Sequence, residues 1–175
     1  YGLAENNKVL TVKQWVNNSK EFANWMRLSL LMSMCSNVEI YMASIIRESI
    51  ESDPGIIMGA SHQIDGIKLL KTENKVDENV IADHIKKCTK DTWSSRLCHI
   101  EKLFGAMPII ANNIKQLEDI RNLRNAVGHA FGRNIEKSQQ YYRIEIEPIE
   151  RISVKNYNMY ITLLFDIVQE FDKIV

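Results

Sequence analysis

The hydrophobic positions of this chain recur at helical spacing, and the breaks between them are few. Neither Gly nor Pro occurs between Leu3 and Asp53, so nothing punctuates a helix there. Thr11-Val12-Lys13-Gln14 has the form of a capping box, in which the Thr oxygen and the Gln side chain satisfy backbone N–H groups left free at a helix start. Ser36-Asn37-Val38-Glu39 has the same form. The pattern predicts a helix from Val12 to Cys35 and a second from Asn37 to Glu51, or one kinked helix over both. Asp53-Pro54-Gly55 ends it, because Pro disfavours helical backbone in the residue before it. Trp25, Met26, Met32, Met34, Tyr41 and Met42 lie at helical spacings and read as core, a partner-binding groove being the other use of Met.

Beyond Pro54 the pattern weakens. Gly55, Gly59, Gly66 and the polar run Lys71-Thr72-Glu73-Asn74-Lys75 read as a loop holding one short helix at most. Asp77 caps a helix to Lys90. Thr92 starts another, with Trp93, Leu97, Ile100 and Leu103 at helical spacing, and Gly105 stops it. Pro108 opens a helix whose buried stripe is Ile110, Ile114, Leu117, Ile120 and Leu123, running to about Val127. Residues 141–147 alternate with period two and read as a short strand or extended segment before Pro148. Ser153 caps the last helix, with Val154, Tyr157, Ile161, Leu164, Val168 and Phe171 on one face. Tyr160, Leu163, Phe165 and Ile167 add a second apolar face, so this helix is central to a bundle or forms half of a dimer interface. The fold class is all-α: a compact bundle of about five to six helices with a short extended segment before the C-terminal helix. Residues 1–175 form one domain, or a piece cut from a longer chain, since the first residue is Tyr1.

Composition agrees and narrows the choice. Hydrophobic residues make up 45% and charged residues 25%, which excludes disordered, collagen-like and rod-like chains. Seven Gly and three Pro are too few for the turns of a sandwich or barrel. Lys plus Arg and Asp plus Glu are 22 each, so any contact with nucleic acid has to come from a local patch. Three cysteines without C-x-x-C spacing argue for a reducing compartment, read as the cytoplasm. Purely apolar runs such as Leu30-Leu31-Met32 are short, so neither a membrane span nor a signal peptide is expected.

One segment carries chemistry: Ile120-Arg121-Asn122-Leu123-Arg124-Asn125-Ala126-Val127-Gly128-His129-Ala130-Phe131-Gly132-Arg133. On a straight helix Asn125 and His129 stack as i and i+4, whereas Arg124 and His129 lie about 140° apart. Asn125 is then placed to fix the imidazole tautomer, and Gly128 lets the helix tighten or break before His129. An Arg fork binds phosphate oxygens and stabilises charge developing on them. A His titrating near neutrality moves the proton of a nucleophile or leaving group. With the RNA 2′-OH as nucleophile this needs no metal and leaves a cyclic phosphate. From Lys115 to Arg143 there are six basic and three acidic side chains, a modest positive patch. The plainer use of the same residues is structural: His129 as a C-terminal cap, and the arginines solvated or paired with Glu118 and Asp119.

Arg124-Asn125-x-x-x-His129 resembles the R-x4-6-H signature of HEPN domains, in which a polar residue follows the Arg. Its place late in an amphipathic helix, before a Gly-containing loop and one terminal helix, is similar as well. Asn37-Val38-Glu39-Ile40-Tyr41 resembles the acidic-aromatic helix of several HEPN groups, and Trp93-x-x-Arg96 leading to Leu103-Phe104-Gly105 is also similar. The resemblance covers the chain from about Val12 to its end. It implies a helical bundle that homodimerises and a metal-independent endoribonuclease whose Arg and His motifs meet across the interface. Arg124 would hold the scissile phosphate, His129 would move a proton, and Asn125 would orient His129 or the substrate. Arg121 and Arg133 would make further substrate contacts. The implied settings are toxin–antitoxin, anti-phage defence or RNA processing, with an antitoxin or regulatory protein as a further partner. The alternative is a catalytically inactive HEPN-fold module that binds RNA or a protein.

Other constellations are weaker. His84 and Cys88 on one helix and Cys98-His99 on the next are zinc-ligand types, but adjacent residues point apart on a helix, so no metal site is expected. His62 reads as polar surface. Gly55-x-x-x-Gly59 lacks the Lys that follows in a phosphate-cradling loop, and no cofactor is expected.

Overall fold

A computed structural model describes residues 11–57, 76–130 and 150–174, without the side chains of 129 and 130. Among the described residues the fold is an all-α bundle of six helices with no strand. They are α1 (Val12–Ser52), α2 (Glu78–Thr89), α3 (Trp93–Phe104), α4 (Pro108–Asn112), α5 (Ile114–Ala130) and α6 (Val154–Asp172). A 3-10 turn, Pro54–Ile57, follows α1 and buries Ile57. The expected extended segment at 141–147, and most of 55–75, lie outside the described residues.

The first helix starts where the sequence says it should. The Thr11 hydroxyl accepts from the Gln14 N–H at 3.3 Å, and the Gln14 side chain accepts from the Thr11 N–H at 2.9 Å. It does not divide at Ser36. All 41 residues form one uninterrupted helix, so of the two expected arrangements the single helix over both stretches is the one observed. The reason is the seam Leu28, Leu31, Cys35, Val38, Met42, Ile46 and Ile50, which stays buried straight across the junction. A Ser and an Asn inside a helix lose only a few tenths of a kcal/mol each, roughly, which such burial outweighs. Glu39 turns toward other helices instead of back to Ser36.

The seam packs against α2, α5 and α6. Two polar clasps fix it. Buried Asn24 donates to the Glu150 carbonyl at 2.9 Å and accepts from the Ile152 N–H at 3.0 Å, tying the entry of α6 to α1. Arg47 grips Glu78 with two hydrogen bonds of 2.8 and 2.5 Å, tying α2 to the far end. An 18-residue window of α1 has a mean hydropathy of 1.3, so by length and composition this helix is long and apolar enough to cross a membrane. The short apolar runs counted in the sequence miss this, because the window averages over interspersed polar residues.

Two further departures have local causes. The helix expected from Pro108 to Val127 is broken at Asn113, whose side chain donates to the Ile109 carbonyl at 2.8 Å and so competes with the backbone ladder. On α6 the core face lies between the two expected stripes: Tyr160, Leu163, Leu164, Ile167 and Phe171 are buried, while Val154 and Phe165 are exposed. Trp25 and Met26 are not core. With Trp15, Phe22 and Leu30 they leave the first half of α1 lined with exposed apolar side chains.

Candidate functional site

Helix α5 presents Glu118, Arg121 and Arg124 at steps of three, beside the stripe Leu117 and Ile120 that buries it. This charged edge faces α3 and the middle of α1. Arg124 donates to Glu39 at 3.1 Å. Arg96 of α3 reaches the other oxygen of the same carboxylate at 3.5 Å, and Lys90, which ends α2, approaches it at 3.4 Å. One carboxylate thus serves three cations.

Arg96 is held from every side. It is 4% exposed. Its guanidinium carbon lies 4.8 Å from the centroid of the Trp93 ring, and its Nε donates to the Asp91 carbonyl at 3.1 Å. Asp91, whose carbonyl accepts this bond, adopts φ 78°, a left-handed conformation. Burial lowers the Arg96 pKa from its ordinary value, and the neighbouring Glu39 opposes that shift. Arg121 is paired within its own helix to Glu118 at 2.7 Å. The same Glu118 accepts from the Trp93 N–H, which helps cap the start of α3. Arg121 is therefore in the salt bridge that the structural reading of the sequence foresaw.

Glu39, Trp93, Arg96, Arg121 and Arg124 line a narrow cleft with Cys35, Val38, Ile120 and Leu164 as its apolar wall. Its free space is about 20 Å³, room for one or two waters. Burial pushes the Cys35 thiol up to about 11, so it stays protonated and is no nucleophile.

The remaining site residues are distributed as follows. Asn125 follows Arg124 on α5 and is half-buried. Position 129 lies in the last turn of α5, which runs through Gly128 to Ala130, so the helix does not break before the His as expected. Because the helix is continuous, positions 125 and 129 share a side and position 124 lies about 140° from 129. Arg133 lies outside the described residues. An open hollow of about 250 Å³ adjoins this helix end, lined by Trp25, Leu28, Ser29, Met32, Val127 and Gly128. Cys88 is buried on α2 and Cys98 exposed on α3; among the described residues no group of three metal-ligand types could hold an ion.

Lys90 was not singled out in the sequence, Arg96 entered only through the family resemblance, and Glu39 entered through that resemblance and as a capping-box residue, not as a partner of the arginines. A signal for Glu39 existed: it is the one acidic residue between Glu21 and Glu48, and a lone charge in an apolar stretch needs a partner. Compared with family models, curated proteins and solved structures, the chain matches none.

Proposed function

We propose that the chain is a metal-independent endoribonuclease of the HEPN type, acting as a homodimer in the cytoplasm. One observation carries this reading. Three segments far apart in the sequence, Asn37–Tyr41, Trp93–Arg96 and Arg124–Asn125, meet at a single arginine-lined cleft. Each belongs to a stretch that resembles HEPN domains, the third being the Arg half of the Arg124-Asn125-x-x-x-His129 motif, whose position 129 lies about 140° round α5 from Arg124.

The chemistry follows from the residue types. Arg124, with Arg96 behind it, binds the non-bridging oxygens of a phosphodiester and stabilises the charge that grows on them. The RNA 2′-OH loses its proton and attacks the adjacent phosphorus. The P–O5′ bond breaks, the 5′-oxygen takes up a proton, and a 2′,3′-cyclic phosphate remains. His129 is assigned one of these proton transfers. Arg124 and position 129 lie about 140° apart on the unbroken α5, so this reading requires a composite site in which a second copy supplies the group that one chain does not present beside Arg124. The open hollow and exposed aromatic side chains beside this helix end offer apolar surface for such a pairing.

The test is cleavage of a mixed RNA pool in EDTA by wild type, Arg124→Ala and His129→Ala, with the product ends typed. Loss of cleavage in both folded variants, with cyclic-phosphate ends from wild type, is the expected result. A folded dimer that cleaves nothing overturns the enzyme reading. A non-catalytic binding module is then favoured by one observation, the engagement of Arg124 by an internal carboxylate.

A further inference from the structure

The cleft holds more positive charge than its own carboxylates balance. Lys90, Arg96, Arg121 and Arg124 face Glu39 and Glu118. Only the Arg121–Glu118 contact, at 2.7 Å, has the length of a good charge-assisted hydrogen bond. The three contacts to Glu39, at 3.1, 3.4 and 3.5 Å, are long, and no two of them come from one guanidinium as a fork. A carboxylate has acceptor positions enough for three cations, but they lie in one plane, and here three cations arriving from three directions all meet it at 3.1 Å or more. A tetrahedral group with three or four oxygens spreads its acceptor positions out of one plane. Arg96 is moreover almost wholly buried, where incomplete compensation of a charge is expensive. It is aimed at this point by the Trp93 ring and the Asp91 carbonyl, so it cannot escape to water.

We propose that the cleft between α1, α3 and α5 is a phosphate-type oxyanion site that Glu39 occupies from within as a tethered competitor. The free space of about 20 Å³ is too small for phosphate while the Glu39 carboxylate is in place. Ligand entry and departure of Glu39 are therefore one event. The displaced carboxylate has a route outward: it is already 14% exposed, and Lys90, which holds it on the outer side, is 61% exposed. Arg96, Arg121 and Arg124 then share the incoming oxygens. The ligand is either free phosphate or the phosphodiester of RNA. The inference rests on the nuclease reading only for the second of these sources.

The experiment uses inorganic phosphate as the probe, at constant ionic strength balanced with chloride, and Glu39→Gln as the variant. Wild type is expected to gain thermal stability from phosphate beyond chloride. Glu39→Gln, which keeps the shape and removes the charge, is expected to bind phosphate about tenfold tighter or more, the scale of one charge-assisted hydrogen bond. Adding Arg96→Gln and Arg124→Gln is expected to abolish the gain. Should Glu39→Gln fail to fold, Glu39→Asp takes its place, since a carboxylate one methylene shorter falls back from the arginines. If phosphate acts no differently from chloride on wild type and variant, the cluster is only an ion-pair network and the proposal is wrong. Equal phosphate binding with and without the two arginines also overturns it.

A second arm adds a short oligoribonucleotide without terminal phosphates to phosphate-loaded Glu39→Gln. Competition identifies the phosphodiester as ligand. Phosphate binding without competition keeps the oxyanion site and counts against the nuclease. Arg124-dependent RNA cleavage with no effect of Glu39→Gln on KM or phosphate affinity leaves the nuclease standing and removes the competitor.

Discussion

Glu170, near the end of α6, caps the start of α4: its two carboxylate oxygens accept from the Ile109 N–H at 2.8 Å and the Ile110 N–H at 3.3 Å. Helix α4 needs this help, because Met107 at its N-cap offers no side-chain acceptor. The carboxylate is 6% exposed, so its bonds replace water that cannot reach it. Glu170→Ala is expected to destabilise the bundle by about 1–3 kcal/mol, with Glu170→Gln losing less because one oxygen remains. Chemical denaturation of the two variants against wild type measures both.

The thiols divide by burial. Cys98 is exposed, while Cys35 and Cys88 are buried and their pKa values are pushed up from 9.0 to about 11 and about 12. A thiol reagent near neutral pH is expected to titrate one cysteine per folded chain and three in denaturant. The same shifts set an alkaline limit. The folded chain holds these protons more tightly than the unfolded chain, so their contribution is intact below pH 9.0 and is lost as pH rises toward 11 to 12. Tyr41, raised to about 12 by burial and then by its hydrogen bond to Asp172, adds to the loss. Cys35→Ala with Cys88→Ala should flatten stability between pH 9 and 11.

Gly128 sits inside a helix, and a Cβ there would meet only the Met32 methyl at 3.6 Å, ordinary contact. Gly128→Ala is expected to raise stability by about 0.5–1 kcal/mol through helix propensity. A loss instead, measured by thermal unfolding, would show that α5 needs freedom just before His129.

Asp91 is the one described non-Gly residue with positive φ. Asn tolerates this conformation and can replace the side-chain acceptor that receives the Thr92 N–H at 2.8 Å, so Asp91→Asn should be close to neutral. Asp91→Val is expected to lose roughly 1–3 kcal/mol. It should also release Arg96, read as weaker phosphate binding in the Glu39→Gln background.

Much of the fold was legible because its signals are local. Caps at Thr11, Asp77, Thr92 and Ser153, and the stop at Gly105, each mark an observed boundary. The errors arose in two ways: tertiary packing overrode a local signal at Ser36, and a local side-chain bond that periodicity does not show acted at Asn113. Ser36 reads as a cap, yet a seam buried on both sides of it carries the helix through. Asn113 reads as an ordinary helical residue, yet its amide breaks the ladder. Of the site, the pairing of Arg121 with Glu118 on α5 was legible and the pairing of Arg124 with Glu39 was not. Glu39 lies 85 positions before Arg124, and periodicity on one helix says nothing about a carboxylate arriving from another.

The unbroken run of α1 turns three distant attachments into marks on one ruler. Asn24 clasps the entry of α6, Glu39 meets the arginines, and Arg47 grips α2. Their mutual angles are set by residue count alone, at about 100° and 1.5 Å per residue. One residue inserted at Ser36 would leave Asn24 in place and swing Glu39 and Arg47 together a quarter-turn away from their partners. Seven inserted there would nearly restore the facing but displace both by about 10 Å. The three clasps are thus more sensitive to an insertion in this helix than to the substitution of a residue on it that touches none of them.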